Sequence, residues 1–293
     1  MIVTSKYLKQ HPDIKPEATL QHEDAHGNIK KYHIIEAPYD PEEYEAFMED
    51  YKTNDSMKGK FIRFKNGKVT IKPTRCIPDN PGIKDDSSKR DIMYIFGPSE
   101  CGKTTTCTIY ARHYRKMYPH NNIMIFTPNV PIDKPGSLLE LDPLVFDLSR
   151  PEVGYNNFVA NPIQPSELAD SLVIFDDLEG VDDKKTLDGI EKLMNNLLTN
   201  GRHYRTSILF CKHVAAGGKK TQTSFTETDY IVTFPFKERP KKLSYVLDKY
   251  GGMSVKEREF VAHPHNRTRP LFISTKGTPF VVGDQYIWIR DTN

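Results

Sequence analysis

The sequence predicts an α/β fold with a mainly parallel sheet between helices, a C-terminal strand extension and a small N-terminal region. Short apolar runs, which indicate buried strands, recur at residues 92–96, 123–126, 172–175 and 207–211. Two of the segments between these runs have helical periodicity. Apolar strands that alternate with helices are typical of a parallel sheet covered on both faces. Apolar residues make up 37% and charged residues 27% of the 293 residues, which suits a globular chain with a core.

The chain before the first apolar run is polar, and we expect residues 1–77 to be largely irregular. Two local patterns stand out in it. Residues 41–51 form an acidic amphipathic stretch, and a hairpin with its turn at Asn66-Gly67 is predicted from the alternating residues around that dipeptide.

A domain boundary is predicted where the composition changes. Residues 78–91 are rich in Pro, Gly, Asp and Ser, which is typical of a linker. We expect an N-terminal region of residues 1–88, to which the sequence assigns no role, and a main domain of residues 89–293.

Both predicted helices have an apolar stripe at helical spacing. The first covers residues 107–118 and the second residues 187–198, where leucines and an isoleucine recur three or four positions apart. Asp182 or Asp183 is expected to cap the second helix, and Gly201 lies just past its end.

The C-terminal third adds further elements. Its patterns predict strands at residues 230–236, 271–275 and 279–289, and helical pieces at residues 240–250 and 254–262. These elements make up the expected C-terminal extension of the sheet.

Composition also restricts the setting of the protein. Cys76, Cys101, Cys107 and Cys211 are scattered without a C-x-x-C pair, so we expect neither a disulfide framework nor a zinc ribbon but a reducing compartment. The first residues lack the apolar stretch of a secretory signal, and no apolar run is long enough for a membrane helix. The net charge of +2 neither requires nor excludes a nucleic-acid partner.

The first apolar run leads into a phosphate-binding loop of the form G-x-x-x-x-G-K-[ST]. The glycines let the backbone close around phosphates, and the helix that follows turns its positive end toward the anion. Lys103 would reach the β- and γ-phosphates, and the Thr104 hydroxyl would ligate magnesium. Residues between the glycines contribute mainly N–H groups, so Glu100 is tolerated if it faces solvent. The predicted nucleotide-binding residues are Gly97, Pro98, Ser99, Glu100, Cys101, Gly102, Lys103, Thr104 and Thr105.

Two adjacent carboxylates follow the third apolar run. Asp176 and Asp177 come directly after residues 172–175, at the carboxyl edge of the sheet where such folds bind ligands. Alternation along the strand sends the two side chains in different directions. We assign Asp176 to magnesium and Asp177 to activation of the attacking water. The alternative for Asp177 is that it only caps the next turn.

Other nucleotide-binding classes are less compatible with these motifs. Residues 177–180 also fit the D-x-x-G pattern of GTPases, but the sequence contains no guanine-reading N-K-x-D tetrapeptide. A small-molecule kinase would not need the paired acids, although it stays possible.

The fourth apolar run is flanked by two further candidates. His213 follows the run, which we expect to lie beside the phosphate-loop strand, and is a candidate sensor of the γ-phosphate or the water. A histidine hydrogen-bonded in a loop is the alternative. Arg202 follows a helix, where the dipole alone favours a cation, or it is an arginine finger for a neighbouring subunit. Lys219 and Lys220 lie in a loop that faces either solvent or a polyanion.

The order of motifs resembles that of the viral genome-packaging ATPases of the FtsK–HerA superfamily, found in large DNA viruses and virophages. The matching stretches cover about residues 90–290 and read GPSECGKT, NNIMIFTPN, DSLVIFDD, NGRHYRTSILFCKH, TDYIVTFPF, LDKYGGMSVKE and RPLFISTKGTPFVV. The N-G-R-H element and the F-P…Y-G-G-x-S tail are more specific than the phosphate loop. Two departures are Glu100-Cys101, where Gly-Ser is common, and Lys212-His213, where related motors often carry Gln.

The resemblance implies a P-loop NTPase core that uses ATP and Mg²⁺, in a homo-oligomeric ring that threads double-stranded DNA into a capsid. It implies the same roles for the residues assigned above: Lys103 and Thr104 on phosphate and magnesium, Asp176 on magnesium, Asp177 as the base and Arg202 as the finger between subunits. Capsid or portal-type vertex proteins would be partners, a membrane would not, and the location would be the host cytoplasm (the virus factory) or the virion.

A packaging motor is therefore our leading hypothesis from the sequence. A helicase or another DNA-remodelling P-loop ATPase is the alternative enzyme. A capsid-docking or structural protein, in which the nucleotide only stabilises the fold, is the alternative from another class.

Overall fold

The chain forms two compact units in the computed structural model. The first comprises Met1–Thr70 and Leu271–Asn293, and the second comprises Ile71–Pro270. The structure describes residues 2–16, 18–23, 26–35, 41–53, 61–63, 90–130, 136–149, 161–213, 226–249, 252–263, 270–275, 280–283 and 286–289. The expected boundary between residues 88 and 89 lies outside these ranges and stays a prediction.

The N-terminal part of the first unit is a small sheet with two helices. Its elements are β1 (Ile2–Thr4), α1 (Ser5–Gln10), β2 (Ala18–Glu23), β3 (Ile29–Ile34), α2 (Pro41–Thr53) and β4 (Phe61–Arg63). The strands β1, β3 and β2 pair antiparallel in that order. Phe47 of α2 packs edge-on against Tyr32 of β3, with 5.2 Å between the ring centroids. This helix therefore covers one face of the small sheet.

Regular structure in this region differs from our expectation. The prediction of an irregular region is wrong for the described residues, because β2 and β3 are strands whose apolar positions are few. Leu20 and Tyr32 are buried while their polar neighbours are not, so the alternation was hidden by a polar composition. The acidic stretch at 41–51 is part of α2, and the turn predicted at Asn66-Gly67 lies outside the described residues.

The second unit contains a parallel sheet. Its elements are β5 (Ile92–Phe96), α3 (Lys103–Met117), β6 (Asn122–Thr127), β7 (Leu144–Asp147), β8 (Ser171–Asp176), α4 (Lys184–Asn200), β9 (Ser207–Lys212), β10 (Tyr230–Thr233), α5 (Pro240–Lys249) and α6 (Val255–Ala262). The strand order is β10-β5-β9-β8-β6-β7, and all these pairs are parallel. None of the helices that the structure describes is long and apolar enough to cross a bilayer.

The α/β fold with a parallel sheet is confirmed, and so are the four strands predicted from apolar runs. The strand that the sequence did not indicate is β7. It lies at the edge of this sheet with its side chains at most partly buried, and its apolar run, Leu144–Phe146, is shorter than those of the four predicted strands.

The last three strands belong to the first unit. They are β11 (Leu271–Ser274), β12 (Phe280–Gly283) and β13 (Tyr286–Ile289), and they pair antiparallel in the order β4-β13-β12-β11. The predicted single strand at 279–289 is therefore two strands, β12 and β13, that pair with each other.

A row of aromatic rings crosses five neighbouring strands of the parallel sheet. Tyr94, Phe210, Phe175, Phe126 and Phe146 are consecutive partners in the strand register. Successive ring centroids are 6.5, 5.6, 5.2 and 4.5 Å apart. Because a slip of one residue would turn a ring to the opposite face, this row fixes the register that aligns the strand ends.

Both ends of α4 are fixed by side chains. Asp183 caps the first turn by accepting a hydrogen bond from the N–H of Thr186 at 2.7 Å. At the other end, the guanidinium of Arg90 donates to the carbonyls of Leu197 and Leu198 at 2.6 and 2.7 Å. The predicted cap and the predicted end at Gly201 are confirmed.

Candidate nucleotide-binding site

The phosphate loop joins the end of β5 to the start of α3. Gly102 has φ 113°, a left-handed conformation that favours glycine, and α3 begins at the next residue, Lys103. Glu100 also has a positive φ, 61°, and its side chain is exposed as expected. A loop that ends at a helix N-terminus in this way presents backbone N–H groups to an anion.

Cys101 behaves differently from Glu100. Its side chain is buried rather than directed away from the loop, and this burial raises the pKa of the thiol. A Cβ atom on Gly97 would lie 2.7 Å from the Cys101 Sγ and 2.9 Å from Cδ2 of Phe234. The expectation that side chains between the glycines point away is therefore wrong for Cys101, which packs inside the loop.

All three N–H bonds of the Lys103 ammonium have acceptors within the chain. Nζ lies 3.0 Å from the carbonyl oxygen of Gly97, 3.3 Å from that of Pro98 and 3.3 Å from Nδ1 of His213. The first two acceptors belong to the loop itself, and the third belongs to the end of β9. The lysine thus connects the phosphate loop to a neighbouring strand.

The paired carboxylates lie at the carboxyl edge of the same sheet. Asp176 is the last residue of β8 and is half-buried. Asp177 has φ 53° and precedes a 3₁₀ turn, Leu178–Gly180, but its side chain makes no capping hydrogen bond. The Asp177 carboxylate is therefore not held in place by capping this turn.

The electrostatic surroundings of the two acids differ. Burial, with the negative charge of Asp177 as the second cause, raises the pKa of Asp176 to about 6. The thiol of Cys211 donates a hydrogen bond to Asp176, and its Sγ lies 3.0 Å from that of Cys107 on α3. The hydrogen bond to Cys107 and burial raise the pKa of Cys211. A buried pair of cysteines, Cys107 and Cys211, therefore lies next to Asp176.

His213 lies between the lysine and the second acid. Its Nδ1 faces Lys103, and its Nε2 is 2.8 Å from Oδ1 of Asp177. The strand that carries it, β9, pairs with β5 on one side and β8 on the other. The expected position of this strand is thus confirmed, whereas the sensor role of His213 stays a prediction.

Oxygen donors suited to magnesium lie at this edge. The Thr104 hydroxyl is exposed on the first turn of α3, beside Thr105, and the Asp176 carboxylate is half-buried. Mg²⁺ prefers oxygen ligands and usually keeps waters and substrate phosphates in its shell. The like charges of Asp176 and Asp177 would also be relieved by a divalent cation, so the donor set fits the ion. Within the described ranges, no group of three or more His, Cys, Asp or Glu side chains could hold a metal alone.

Arg202 lies at the opposite edge of the sheet. It belongs to the 3₁₀ turn Gly201–Tyr204, which precedes β9, whereas the phosphate loop follows the parallel strand β5. Its side chain is exposed, and among the described residues it has no hydrogen-bond or ion-pair partner. The structure therefore brings together Lys103, Asp176, Asp177 and His213, and leaves Arg202 apart from them.

Some residues around the site could not be found by motif. Cys211 and Phe234 contact Asp176 and the Gly97 region only because β9 and β10 flank β5 in the sheet. Their signal in the sequence is a position near the end of an apolar strand, which becomes informative once the strand order is known. The loop containing Lys219 and Lys220 lies outside the described residues.

Loop, acidic strand and strand order together are those of a P-loop NTPase core with its ligand edge at the carboxyl ends of parallel strands. No protein-family model matches the chain. A curated protein from the Sputnik virophage, uncharacterized protein V3, is 27% identical over 192 residues, which cover 63% of this chain and 74% of V3. The chain is thus a distant relative of a virophage protein.

Several solved structures are similar to the fold. The genome packaging NTPase B204 from Sulfolobus turreted icosahedral virus 2, in complex with ATPγS, has a TM-score of 0.44 at 14% identity and covers 67% of this chain and 96% of its own. The pCW3 conjugation coupling protein TcpA has a TM-score of 0.43 at 14% identity, and the match covers 98% of this chain and 80% of TcpA. VirB4 of Thermoanaerobacter pseudethanolicus has a TM-score of 0.42 at 8% identity, and the match covers 72% of this chain and 92% of VirB4. A viral genome packaging NTPase is thus among the similar structures.

Proposed function

We propose that this chain is an ATPase that moves double-stranded DNA into a viral capsid as a homo-oligomeric ring. ATP with Mg²⁺ would bind at the phosphate loop, where Lys103 contacts the terminal phosphates. The Thr104 hydroxyl and the Asp176 carboxylate would hold the magnesium ion, which supplies charge neutralisation at the phosphates. This assignment uses the loop geometry and the oxygen donors at its edge.

Hydrolysis rather than binding alone is supported by the second acid. The Asp177 carboxylate does not cap the turn that it precedes, and it contacts His213 at the same edge as Lys103. A carboxylate held beside the phosphate site can orient a water and accept its proton. Asp177 is therefore the base in our proposal.

The position of Arg202 is the main observation in support of an oligomeric motor. The six residues of β9 separate it from the edge that holds Lys103, and six residues of strand span roughly 20 Å. An arginine there is too far from its own phosphate loop to contact bound ATP. Its exposed guanidinium, with no ion-pair partner in the described part of the chain, is available to the site of an adjacent copy. A ring of identical subunits satisfies this requirement at every interface.

DNA packaging as the purpose of hydrolysis is supported by resemblance. The N-G-R-H element that contains Arg202 and the later F-P…Y-G-G-x-S tail are similar to those of viral packaging ATPases. The distant relative V3 comes from a virophage, which agrees with a viral role. Under this proposal the partners are double-stranded DNA and capsid or portal-type vertex proteins, in the host cytoplasm or the virion.

ATPase activity in the presence and absence of DNA tests this function. We expect phosphate release by the full chain to be stimulated by linear duplex DNA of arbitrary sequence at low salt, and to lose that stimulation as salt rises. Lys103→Ala serves as the matched inactive control. Strand unwinding by the active protein would instead indicate a helicase. ATP binding without turnover would indicate a structural role, and turnover that DNA does not alter at low salt would argue against a motor.

A further inference from the structure

We propose that Arg90 is a positioning residue, which fixes the turn that carries Arg202 to the strand that carries the phosphate loop. The inference rests on the proposed function, in which Arg202 completes the nucleotide site of an adjacent subunit. It adds the residue that holds this arginine finger in place within the subunit that supplies it. Arg90 lies two residues before β5, and the phosphate loop follows the other end of that strand.

Arg90 contacts the end of α4 through both of its terminal nitrogens. Nη1 donates to the carbonyl of Leu197 at 2.6 Å, and Nη2 donates to the carbonyl of Leu198 at 2.7 Å. Arg90 is only 7% exposed, so these hydrogen bonds are shielded from water. Because a guanidinium is planar and charged, two such bonds fix both distance and direction. The last turn of α4 is therefore held at a defined place relative to the start of β5.

The same guanidinium sets the path of the chain into the turn. The α-carbon of Gly201 lies so close to it that an added methyl group would overlap Nη1 of Arg90. The carbonyl of Gly201 also accepts a hydrogen bond from the N–H of Thr206 at 3.1 Å, which closes the turn. Arg202 directly follows Gly201, so the position of its backbone depends on the contact between Gly201 and Arg90.

The far side of the turn is held by a weaker pair. The carbonyl of Tyr204 accepts from the N–H of Asp170 at 2.8 Å, and Nη2 of Arg205 donates to the Asp170 carboxylate at 2.7 Å. The side chains of Asp170 and Arg205 are 46% and 47% exposed, so water and salt screen their attraction. The buried contact with Arg90 is therefore the firmer hold on this turn.

The charge of Arg90 also acts on the side chain of Arg202. Burial lowers the pKa of Arg90, Asp229 and Glu227 oppose this effect, and the positive charge of Arg202 adds to it. The two cations therefore repel each other. Because Arg90 is held by two carbonyls, the side chain that yields is the exposed Arg202. The repulsion directs its guanidinium away from Arg90 and into solvent, where an adjacent copy would meet it.

These contacts fix the spacing between the finger and the phosphate loop of one subunit. Arg90 and Gly97 flank β5, whose five residues span roughly 17 Å. In a ring, each subunit receives an arginine from one neighbour and supplies one to the other, so the same spacing recurs at every interface. Loss of Arg90 would release the turn and leave the loop at the other end of β5 intact. We therefore expect a defect in the supplied finger and not in ATP binding.

Mixed assemblies of the full chain test this expectation. Arg90→Met should bind ATPγS within about twofold of the unchanged chain and lose phosphate release roughly tenfold to a hundredfold. In an equal mixture with Lys103→Ala, about a quarter of the full activity should return, because Lys103→Ala subunits supply correctly placed arginines to intact sites. A mixture with Arg202→Ala should show no such gain, because neither subunit then supplies one.

Two further variants apply if Arg90→Met does not fold. Arg90→Lys keeps the charge and a donor for one carbonyl, so it should recover part of the turnover. Gly201→Ala displaces the guanidinium from the other side and should behave in mixtures as Arg90→Met does. Lys192→Met, which removes an exposed cation from the middle of α4, is the matched control and should keep normal turnover.

Three outcomes overturn the inference and leave the proposed function standing. The first is normal turnover by folded Arg90→Met. The second is recovery of Arg90→Met by Arg202→Ala but not by Lys103→Ala, which would place the defect in the receiving site. The third is equal loss of ATPγS binding and turnover in the folded Arg90 variants, which would show a general structural role. If Arg202→Ala and Lys103→Ala form mixed assemblies and do not restore each other, the proposed finger is wrong, and the inference with it.

Discussion

The guanidinium of Arg90 fills the space beside the α-carbon of Gly201. A methyl group at residue 201 would overlap Nη1 of Arg90, the nitrogen that donates to Leu197. Gly201 has φ −60°, so its backbone alone does not require glycine. The close approach of the arginine is what requires it, at the turn that leads to Arg202.

Gly201→Ala should destabilise the fold through this contact. The new methyl group would displace a buried guanidinium from its carbonyl acceptors, and we expect a loss of about 2 kcal/mol in the free energy of unfolding. Urea denaturation followed by circular dichroism measures the change. The matched background is Arg90→Met, in which Gly201→Ala should change the free energy of unfolding only slightly. An equal cost in both backgrounds would show that Arg90 is not the cause.

Gly97→Ala should impair the phosphate loop while leaving the fold intact. The added methyl group would meet Cys101 and Phe234, so the loop backbone must shift and its N–H groups lose their alignment. We expect ATPγS to bind roughly tenfold more weakly or worse, a change of at least about 1.4 kcal/mol. Isothermal titration gives the affinity. Adding Cys101→Ala should recover part of it, and a double variant no better than Gly97→Ala would refute the role of Cys101 packing.

Asp176→Asn should stabilise the metal-free chain at neutral pH. The pKa of Asp176 is raised to about 6 by burial and by Asp177, whereas an unfolded aspartate titrates near about 4. Between these values the folded chain holds a proton that the unfolded chain releases, so the contribution of Asp176 to stability falls as the pH rises. The variant lacks this dependence. We expect it to be more stable by about 2–3 kcal/mol at pH 8.

Urea unfolding in EDTA between pH 4 and 8 measures this effect. The difference between Asp176→Asn and the unchanged chain should shrink toward zero at pH 4. Asp182→Asn, which alters an exposed carboxylate at a nearby position, is the matched control and should give a small difference that does not follow this trend. A stabilisation that is constant across the range would contradict the assigned cause.

Mixing inactive subunits tests whether Arg202 acts on a neighbour. Arg202→Ala and Lys103→Ala should each abolish turnover alone. In an equal mixture, roughly a quarter of the interfaces would combine an intact Lys103 with an intact Arg202 from the adjacent copy, and activity should return to that extent. Steady-state phosphate release measures it.

The control mixture pairs Asp177→Asn with Lys103→Ala. Both residues belong to the same site of one subunit, so every interface in this mixture lacks one of them and should stay inactive. If mixed assemblies of Arg202→Ala with Lys103→Ala form and remain inactive, Arg202 is not supplied from one copy to another.

Much of the second unit could be predicted because its signals are local. The strands β5, β6, β8 and β9 are buried on both faces and therefore read as apolar runs, and α4 has a capping aspartate next to its apolar stripe. Within the site, the phosphate loop and the paired acids are contiguous motifs. Their relation to the sheet edge follows from parallel topology.

The rest depends on contacts between distant segments. His213 meets Lys103 and Asp177 only because β9 is inserted between β5 and β8, and the hydrogen bond between Cys211 and Asp176 needs the register of that pairing. The N-terminal strands β2 and β3 escaped prediction for another reason. Apolar residues are few in both strands, and Ile29 of β3 lies on the face opposite to the buried Tyr32, so the period of two was obscured.

The aromatic row across the sheet also has a consequence for how the protein is made. Asp91 directly precedes β5, the first strand along that row, and its N–H donates a hydrogen bond to the hydroxyl of Ser207, the first residue of the second strand, β9, across 116 residues of chain. The strands β6, β7 and β8 precede β9 in the sequence, so they are synthesised before the strand that lies between β5 and β8 in the sheet. Until then these apolar strands lack a neighbour, and the emerging polypeptide exposes an aggregation-prone edge. Pairing of β9 with β5 and β8 covers these edges, and the same step places His213 between Lys103 and Asp177.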